Sequence, residues 1–349
     1  MRFYTKTHQY YCGIDLHAKT MYVCVMNQHG DILVHRNIRT DQRRFLSLID
    51  PYRDDLVVSV ECIFTWYWLA DLCTREHITF VLGHALYMKA IHGGKVKNDK
   101  LDSQKIALLL KGGMLPQAYV YPADMRPTRD LLRRRMHLSR QRAHLIAHIQ
   151  NTVHQYNLPA LGVRLGKSTE RGDVVECFPA GDTQAMVQLD LDLISYYDQQ
   201  LARLEPQLVK QARAHDAQMH HLIGSIRGIG RILSLVLLYE IQNIDRFPTQ
   251  GQFLSYSRLV RCDKESAGKK VGKSNKKIGN SYLRWAFGEA AVLFLKGNPQ
   301  AQKWLQKQAS RHGKGKALAI LSKKLGQTVY AMLKKNRCFD EARFMSHLN

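Results

Sequence analysis

Four carboxylates, Asp15, Glu61, Asp99 and Asp102, have the types and spacing to do chemistry. Asp15 closes the run Tyr-Tyr-Cys-Gly-Ile-Asp, and Glu61 closes Leu-Val-Val-Ser-Val-Glu. Both runs read as buried strands, so each acid stands at a strand end. Asp99 and Asp102 lie in Asn-Asp-Lys-Leu-Asp-Ser; at i and i+3 they share a face where the chain enters a helix. Carboxylates gathered in this way repel one another unless a cation sits between them. Hard oxygen ligands suit Mg²⁺ or Mn²⁺. Paired divalent ions roughly 3.5–4 Å apart cut phosphodiesters by stabilising both the attacking and the leaving oxygen. The plain alternative is a set of unrelated surface acids. The order and context of all four together favour metal-dependent cleavage of a nucleic-acid strand.

The elements around these acids decide whether they can meet. Tyr10–Asp15, Met21–Asn27 and Ile32–Ile38 are apolar runs with short breaks, and His29-Gly30-Asp31 is a hairpin turn signal. Residues 41–49 read as a helix, Leu56–Glu61 as a fourth strand, 66–75 as a helix and Ile78–Leu82 as a fifth strand. Asp102–Lys111 reads as a further helix, stopped by Gly112-Gly113. Three meandering strands, then alternating helices and strands, is the order of an α/β ribonuclease-H-like (RuvC-like) domain, here 1–125. Element order and acid placement carry that expectation jointly. His17 stands near enough to Asp15 to orient a substrate, although a solvated or packed histidine is the commoner case. Phe64, Trp66, Tyr67 and Trp68 follow Glu61 and read as packing of helix on sheet, with base stacking as the other use of such aromatics.

From 126 the pattern is helical. Leu131, Leu132, Leu138, Leu145, Ile146 and Ile149 form a stripe between arginines. After a Gly/Pro-rich, charged stretch a second long helix is expected to about His221. In it Ile194, Tyr197, Leu201, Leu204 and Leu208 have coiled-coil spacing, and Pro206 is expected to kink or break it. Residues 126–221 therefore read as an antiparallel α-helical coiled-coil arm and a possible dimerisation surface. The remainder, 222–349, reads as mainly α-helical. Ile226–Gly230 is either a phosphate-holding turn at a helix start or a glycine turn before a core helix. Residues 262–280 read as a lysine-rich loop, with helices at 280–295 and 315–333.

The formal net charge is +23, from 52 Lys plus Arg against 29 Asp plus Glu, which calls for a polyanionic partner. The charge is concentrated away from the carboxylates. Arg126 to Arg142 holds 7 arginines and one acid, and 261–349 holds 20 basic residues against 5 acidic ones. Arg133, Arg134, Arg135, Lys269, Lys270, Lys273, Lys276 and Lys277 are the candidate phosphate grips. The 7 cysteines include no C-x-x-C pair, which fits a reducing cytoplasm better than a zinc ribbon or disulfide scaffold. No signal-peptide core opens the sequence, and the apolar stretch Ile232–Ile241 is too short to span a bilayer. Gly268–Ser274 has three residues between its glycines where a nucleotide-binding phosphate loop needs four, which excludes that reading.

These pieces together resemble a known family. Gly-Ile-Asp-Leu-His, Ser-Val-Glu-Cys and Lys-Asn-Asp-Lys-Leu-Asp-Ser are similar to the DEDD motif of insertion-sequence 110 family transposases. Ile226–Gly230, Ile244-Asp245-Arg246-Phe247-Pro248, Phe253-Leu254-Ser255-Tyr256, the loop at 266–277 and Gly279-Asn280-Ser281-Tyr282-Leu283-Arg284 resemble that family's second domain, in order. Arg227 replaces a common Pro, and Ser257-Arg258 a common Ala-Gly. The resemblance implies Mg²⁺-dependent DNA recombination (Mn²⁺ being the other candidate), a structured guide RNA pairing with target and donor DNA, and a homo-oligomer with composite active sites. It also implies a serine nucleophile, matched by position to Ser266. Read without the resemblance, Ser266, Ser274 and Ser281 stand level. Two rival classes remain on sequence: a junction-resolvase-like nuclease using water on the same carboxylates, and a non-catalytic RNA-binding architectural protein.

Overall fold

The computed structural model describes residues 2–91, 98–161, 165–166, 171, 173–260, 263–266, 269–273 and 278–348. The chain forms two compact units, Met1–Asp124 and Met125–Asn349.

In the first unit the strands are β1 (Phe3–Tyr4), β2 (Tyr10–Leu16), β3 (Thr20–Asn27), β4 (Ile32–Arg39), β5 (Leu56–Glu61), β6 (Thr79–Gly83) and β7 (Leu115–Pro116). The helices are α1 (Gln42–Ile49), α2 (Tyr67–Arg75), α3 (Ala85–Ile91) and α4 (Asp99–Lys111). Five strands make a mixed sheet in the order β4-β3-β2-β5-β6. β2, β3 and β4 meander antiparallel, while β2, β5 and β6 are parallel. The β3–β4 turn forms because Asn27 Oδ1 accepts from the amides of His29, Gly30 and Asp31, with Gly30 at φ 98°. The central strands β2 and β5 are buried on both faces, which explains their near-continuous apolar runs. Tyr11 and Val57 face α4, where they pack with Ile106, Leu109 and Leu110. Trp66 is buried, as expected for packing; Phe64 is 86% exposed and packs on nothing comparable.

The second unit contains α5 (Arg126–Gln155), α6 (Asp182–Gly224), α7 (Arg231–Ile241), α8 (Gln250–Tyr256), β8 (Asp263–Ser266), β9 (Lys269–Lys273), α9 (Ser281–Phe294), α10 (Pro299–His312), α11 (Lys314–Lys335) and α12 (Glu341–Ser346). α5 and α6 pair antiparallel: His148 meets Asp190, Arg142 meets Asp198 and Arg135 meets Glu205, the partner number falling as the other rises. Ile149, Val153, Val187, Leu191 and Ile194 fill their interface. Of the expected seam, Ile194 and Leu208 are fully buried and Tyr197, Leu201 and Leu204 partly so.

Two expectations are corrected and an open one gains support. α6 runs straight through Pro206; its non-helical residue is Asp216, at φ −161° and ψ 84°. There the Asp216 carboxylate accepts from the Met219 amide, so it caps the short helical segment that follows. Of the two readings of the Ile226–Gly230 turn, the packing turn has a contact behind it. A Cβ on Gly228, which has φ 81°, would lie 2.6 Å from the Phe294 backbone nitrogen, so α9 closes over it. Finally, the described part of the expected 262–280 loop is an antiparallel hairpin, β8 with β9. Charged and glycine-rich, it lacks the apolar alternation by which strands are read.

Candidate active site

Asp15 lies one residue beyond Ile14, and Glu61 one residue beyond Val60; Ile14 and Val60 are register partners in the parallel β2–β5 pair. The two acids therefore occupy equivalent positions at the carboxyl ends of adjacent strands, where open α/β sheets bind ligands. Asp15 is on the same face of β2 as Gly13, two residues before it. That face is covered by α4, and Gly13 is why α4 can come so close. A Cβ there would lie 2.3 Å from both the Ala107 nitrogen and the Ser103 carbonyl oxygen. Backbone thus meets backbone at Gly13–Ser103–Ala107, and the first turn of α4 is carried to Asp15.

The helix begins cleanly. Asn98 is its N-cap, accepting from the Lys100 amide at 2.9 Å, and both Asp99 and Asp102 fall in its first turn. The helix dipole favours negative charge there. Asp102 also pairs with Lys105 at 3.1 Å. His17 links the pieces: its Nε2 is 3.4 Å from Asp15 Oδ2 and 3.6 Å from Asp99 Oδ2. Burial pushes the Asp15 carboxyl above its usual range; His17 opposes this, and the charges of Asp99 and Asp102 add to the rise. Asp15 is thus a half-buried acid whose ionised form is disfavoured by its surroundings, a penalty that a bound cation removes. With ligand atoms of Asp15, His17 and Asp99 all within 4.8 Å of one another, the donor set fits a divalent cation.

Residues 12–158 match a transposase family of the IS110 DEDD type, and residues 220–306 match the family described as Transposase IS116/IS110/IS902. The chain belongs to the IS110 family of transposases. DNA is therefore the class of substrate on which it acts, and the DEDD domain implies use of a divalent metal. Comparison with curated proteins gives no match. Among the described residues no helix is long and apolar enough to cross a membrane.

In the second unit of this transposase, Ser266 ends β8 and pairs in register with Lys269, which is exposed, across the tip of the hairpin. Lys270 and Lys273 lie in β9. Ser274, Lys276 and Lys277 lie outside the described residues. Ser281 is the first residue of α9, but the cap is Asn280, whose side chain accepts from the Tyr282 and Leu283 amides. On either side of this stretch the chain is tied together: the Asn280 amide donates to the Tyr256 carbonyl, and Arg258 Nε donates to the Ile278 carbonyl at 2.9 Å. Arg258, standing where the family commonly has Gly, holds φ 55°. Among non-glycine residues that conformation is uncommon.

Glu240, which the sequence reading passed over, anchors this region. It is 1% exposed and accepts from Arg129, from Arg133 Nε at 2.7 Å and from Asn280 Nδ2 at 2.7 Å. The sequence signal was there: it is the one acid inside the apolar run Ile232–Ile241. This geometry revises the expected arginine grip. Arg133 is committed to Glu240 and lies over the Tyr282 ring, and Arg135 is committed to Glu205. Of the three, Arg134 is the exposed one.

Proposed function

We propose that this IS110-family transposase is an RNA-guided DNA recombinase with a ribonuclease-H-like metal centre formed by Asp15, Glu61, Asp99 and Asp102. The observation that carries the reading is the convergence of α4's first turn on Asp15 through the Gly13 contact. The β4-β3-β2-β5-β6 strand order supports the ribonuclease-H-like assignment. Mg²⁺, with Mn²⁺ as its substitute, is the ion proposed, and when bound it supplies charge stabilisation at a phosphodiester and a lowered pKa for a coordinated oxygen. Asp15 and Glu61 hold it from the sheet, Asp99 and Asp102 from the helix.

Ser266 is the proposed nucleophile. Its Oγ gives up a proton and bonds to phosphorus, while the bridging P–O bond of the DNA breaks and the departing strand oxygen takes up a proton. A hydroxyl of the incoming strand then attacks the same phosphorus and restores the serine. The number of phosphodiester bonds is conserved, so no external energy source is required. Arg134 and the lysines Lys269, Lys270, Lys273, Lys276 and Lys277 are proposed to neutralise RNA and DNA phosphates. Guide RNA supplies sequence choice by base pairing. Assembly is proposed to be at least dimeric; Met186, Leu189, Leu193 and Tyr196 form an exposed apolar stripe on α6 that supports this.

The test is covalent. With guide RNA and both DNAs, the protein should yield a protein–DNA adduct that Ser266→Ala abolishes while RNA and DNA binding persist. Asp15→Asn and Asp102→Asn should abolish cleavage and spare binding. An adduct that survives in Ser266→Ala, or maps to Ser274, refutes the nucleophile. Cleavage without any adduct would favour the water-using nuclease.

A further inference from the structure

We propose that the His17 imidazole is a direct ligand of the divalent ion held by Asp15 and Asp99, and that this nitrogen biases the site toward Mn²⁺ over Mg²⁺. The inference rests on the carboxylate-centre reading and extends it to a residue outside the four acids. His17 Nε2 is 3.4 Å from Asp15 Oδ2 and 3.6 Å from Asp99 Oδ2. Both exceed the roughly 2.7–3.2 Å of an ordinary N–H···O hydrogen bond. Donors at about 2.1 Å from one octahedral centre stand about 3 Å apart when adjacent and about 4.2 Å apart when opposite, and both distances fall inside that span. One nitrogen almost equidistant from two carboxylates is thus placed as a third corner beside both.

The imidazole is also held for that role by its backbone. The His17 amide donates to the Thr20 carbonyl at 3.0 Å, and Thr40 Oγ1 donates to the His17 carbonyl at 2.9 Å. Residue 17 is therefore fixed in the β2–β3 turn, while its ring is half exposed and open to an ion from solvent. The three donors come from a strand end, a turn and a helix start, each fixed by its own backbone contacts. The backbone positions from which the donors extend are thus set before an ion binds, and the half-exposed His17 and Asp99 side chains can close on it from solvent. Mg²⁺ is a hard ion that favours oxygen and keeps its waters, whereas Mn²⁺ accepts imidazole nitrogen more readily.

The experiment uses the full chain and Mn²⁺ or Mg²⁺ alone as the probe. Mn²⁺ bound to the wild-type protein should show nitrogen hyperfine coupling by pulsed electron paramagnetic resonance. His17→Ala should remove that coupling and weaken Mn²⁺ binding by on the order of tenfold or more, since even residues behind the ligands cost that much. Mg²⁺ affinity, measured by competition, should change far less. Mn²⁺ binding that is lost in Asp15→Asn but shows no nitrogen coupling in the wild type overturns the role of His17 and leaves the carboxylate centre standing. Nitrogen coupling that persists in His17→Ala likewise overturns it. Mn²⁺ binding that is absent, or indifferent to Asp15→Asn, overturns the carboxylate centre itself and the inference with it.

Discussion

Replacing Glu240 by glutamine should destabilise the second unit by about 3 kcal/mol at neutral pH, and the loss should shrink in acid. Burial alone would raise the pKa of this carboxyl. The hydrogen bonds from Arg133 and Arg129 and their charges outweigh burial and hold it at about 2, against an ordinary 4.5. The folded pKa is depressed, so the linked stability is fully present above pH 4.5 and is lost as pH falls toward 2. A shift of about 2.5 units at 1.36 kcal/mol each gives about 3 kcal/mol. Glutamine keeps the size and one acceptor oxygen but leaves two guanidinium groups facing a neutral amide. Removing one partner of a buried pair costs about 3–5 kcal/mol, in agreement with the linkage figure.

Two compact units in one chain need not unfold in a single step, so a global melt is a poor assay. Amide hydrogen exchange across Arg231–Ile241, compared between wild type and Glu240→Gln at pH 7, 4 and 3, reads the helix directly. The gap in opening free energy should be largest at pH 7 and smaller at pH 3. A gap below about 1 kcal/mol, or one that does not change with pH, would refute the claim that an ionised Glu240 holds α5, α7 and the start of α9 together.

The three neighbouring arginines should separate by experiment. Arg134→Glu should lower RNA retention and the salt slope of binding without destabilising the protein, because an exposed charge contributes through released counterions. Arg133→Glu and Arg135→Glu should instead destabilise the second unit by removing one partner each from Glu240 and Glu205 and setting a like charge beside them; equal loss of RNA retention in all three folded variants would contradict this division. Gly13→Ala should lower the melting temperature of the first unit and weaken divalent-ion binding, since overpacking of a tight contact costs about 1–3 kcal/mol. Unchanged stability and unchanged Mn²⁺ binding would show that α4 does not depend on that contact.

The first unit was largely legible because its signals are local. Alternation and apolar runs put the five strands of the mixed sheet within about a residue or two of their observed ends. Glu61 closes its strand as read, Asp15 stands one residue inside the end of β2 at Leu16, and the helix containing Asp102 starts a few residues earlier than expected, at Asp99 under the Asn98 cap. What the sequence could not convey was depth. No spacing rule says that Gly13 lets a helix backbone touch a strand, or that His17 falls between Asp15 and Asp99. In the second unit, arginine density read as a phosphate grip because charge is counted without its partners. Glu240 and Glu205 lie roughly 70 to 110 residues away from those arginines in sequence, beyond the reach of any local pattern. Pro206 and Asp216 make the same point about backbone: a helix turn supported by packing tolerates the proline, whereas an aspartate that caps a new segment breaks the run.

Gly13 and Glu240 share a property that explains why they matter. Each breaks the local rule of its element: a glycine in the middle of a central strand, and an acid in the middle of an apolar helix. Either would weaken its element if nothing compensated. Glycine in a strand removes side-chain packing and adds entropy to the unfolded chain, and a lone buried acid carries a desolvation penalty. In both cases the compensation is a contact distant in sequence. Gly13 receives α4, and with it Asp99 and Asp102. Glu240 receives Arg129, Arg133 and Asn280, and with Asn280 the start of α9. Positions where local and global preferences conflict are where a fold gives up local stability to hold something in place. Here one such position underlies the approach of α4 to Asp15 and the other the junction of α5, α7 and the start of α9.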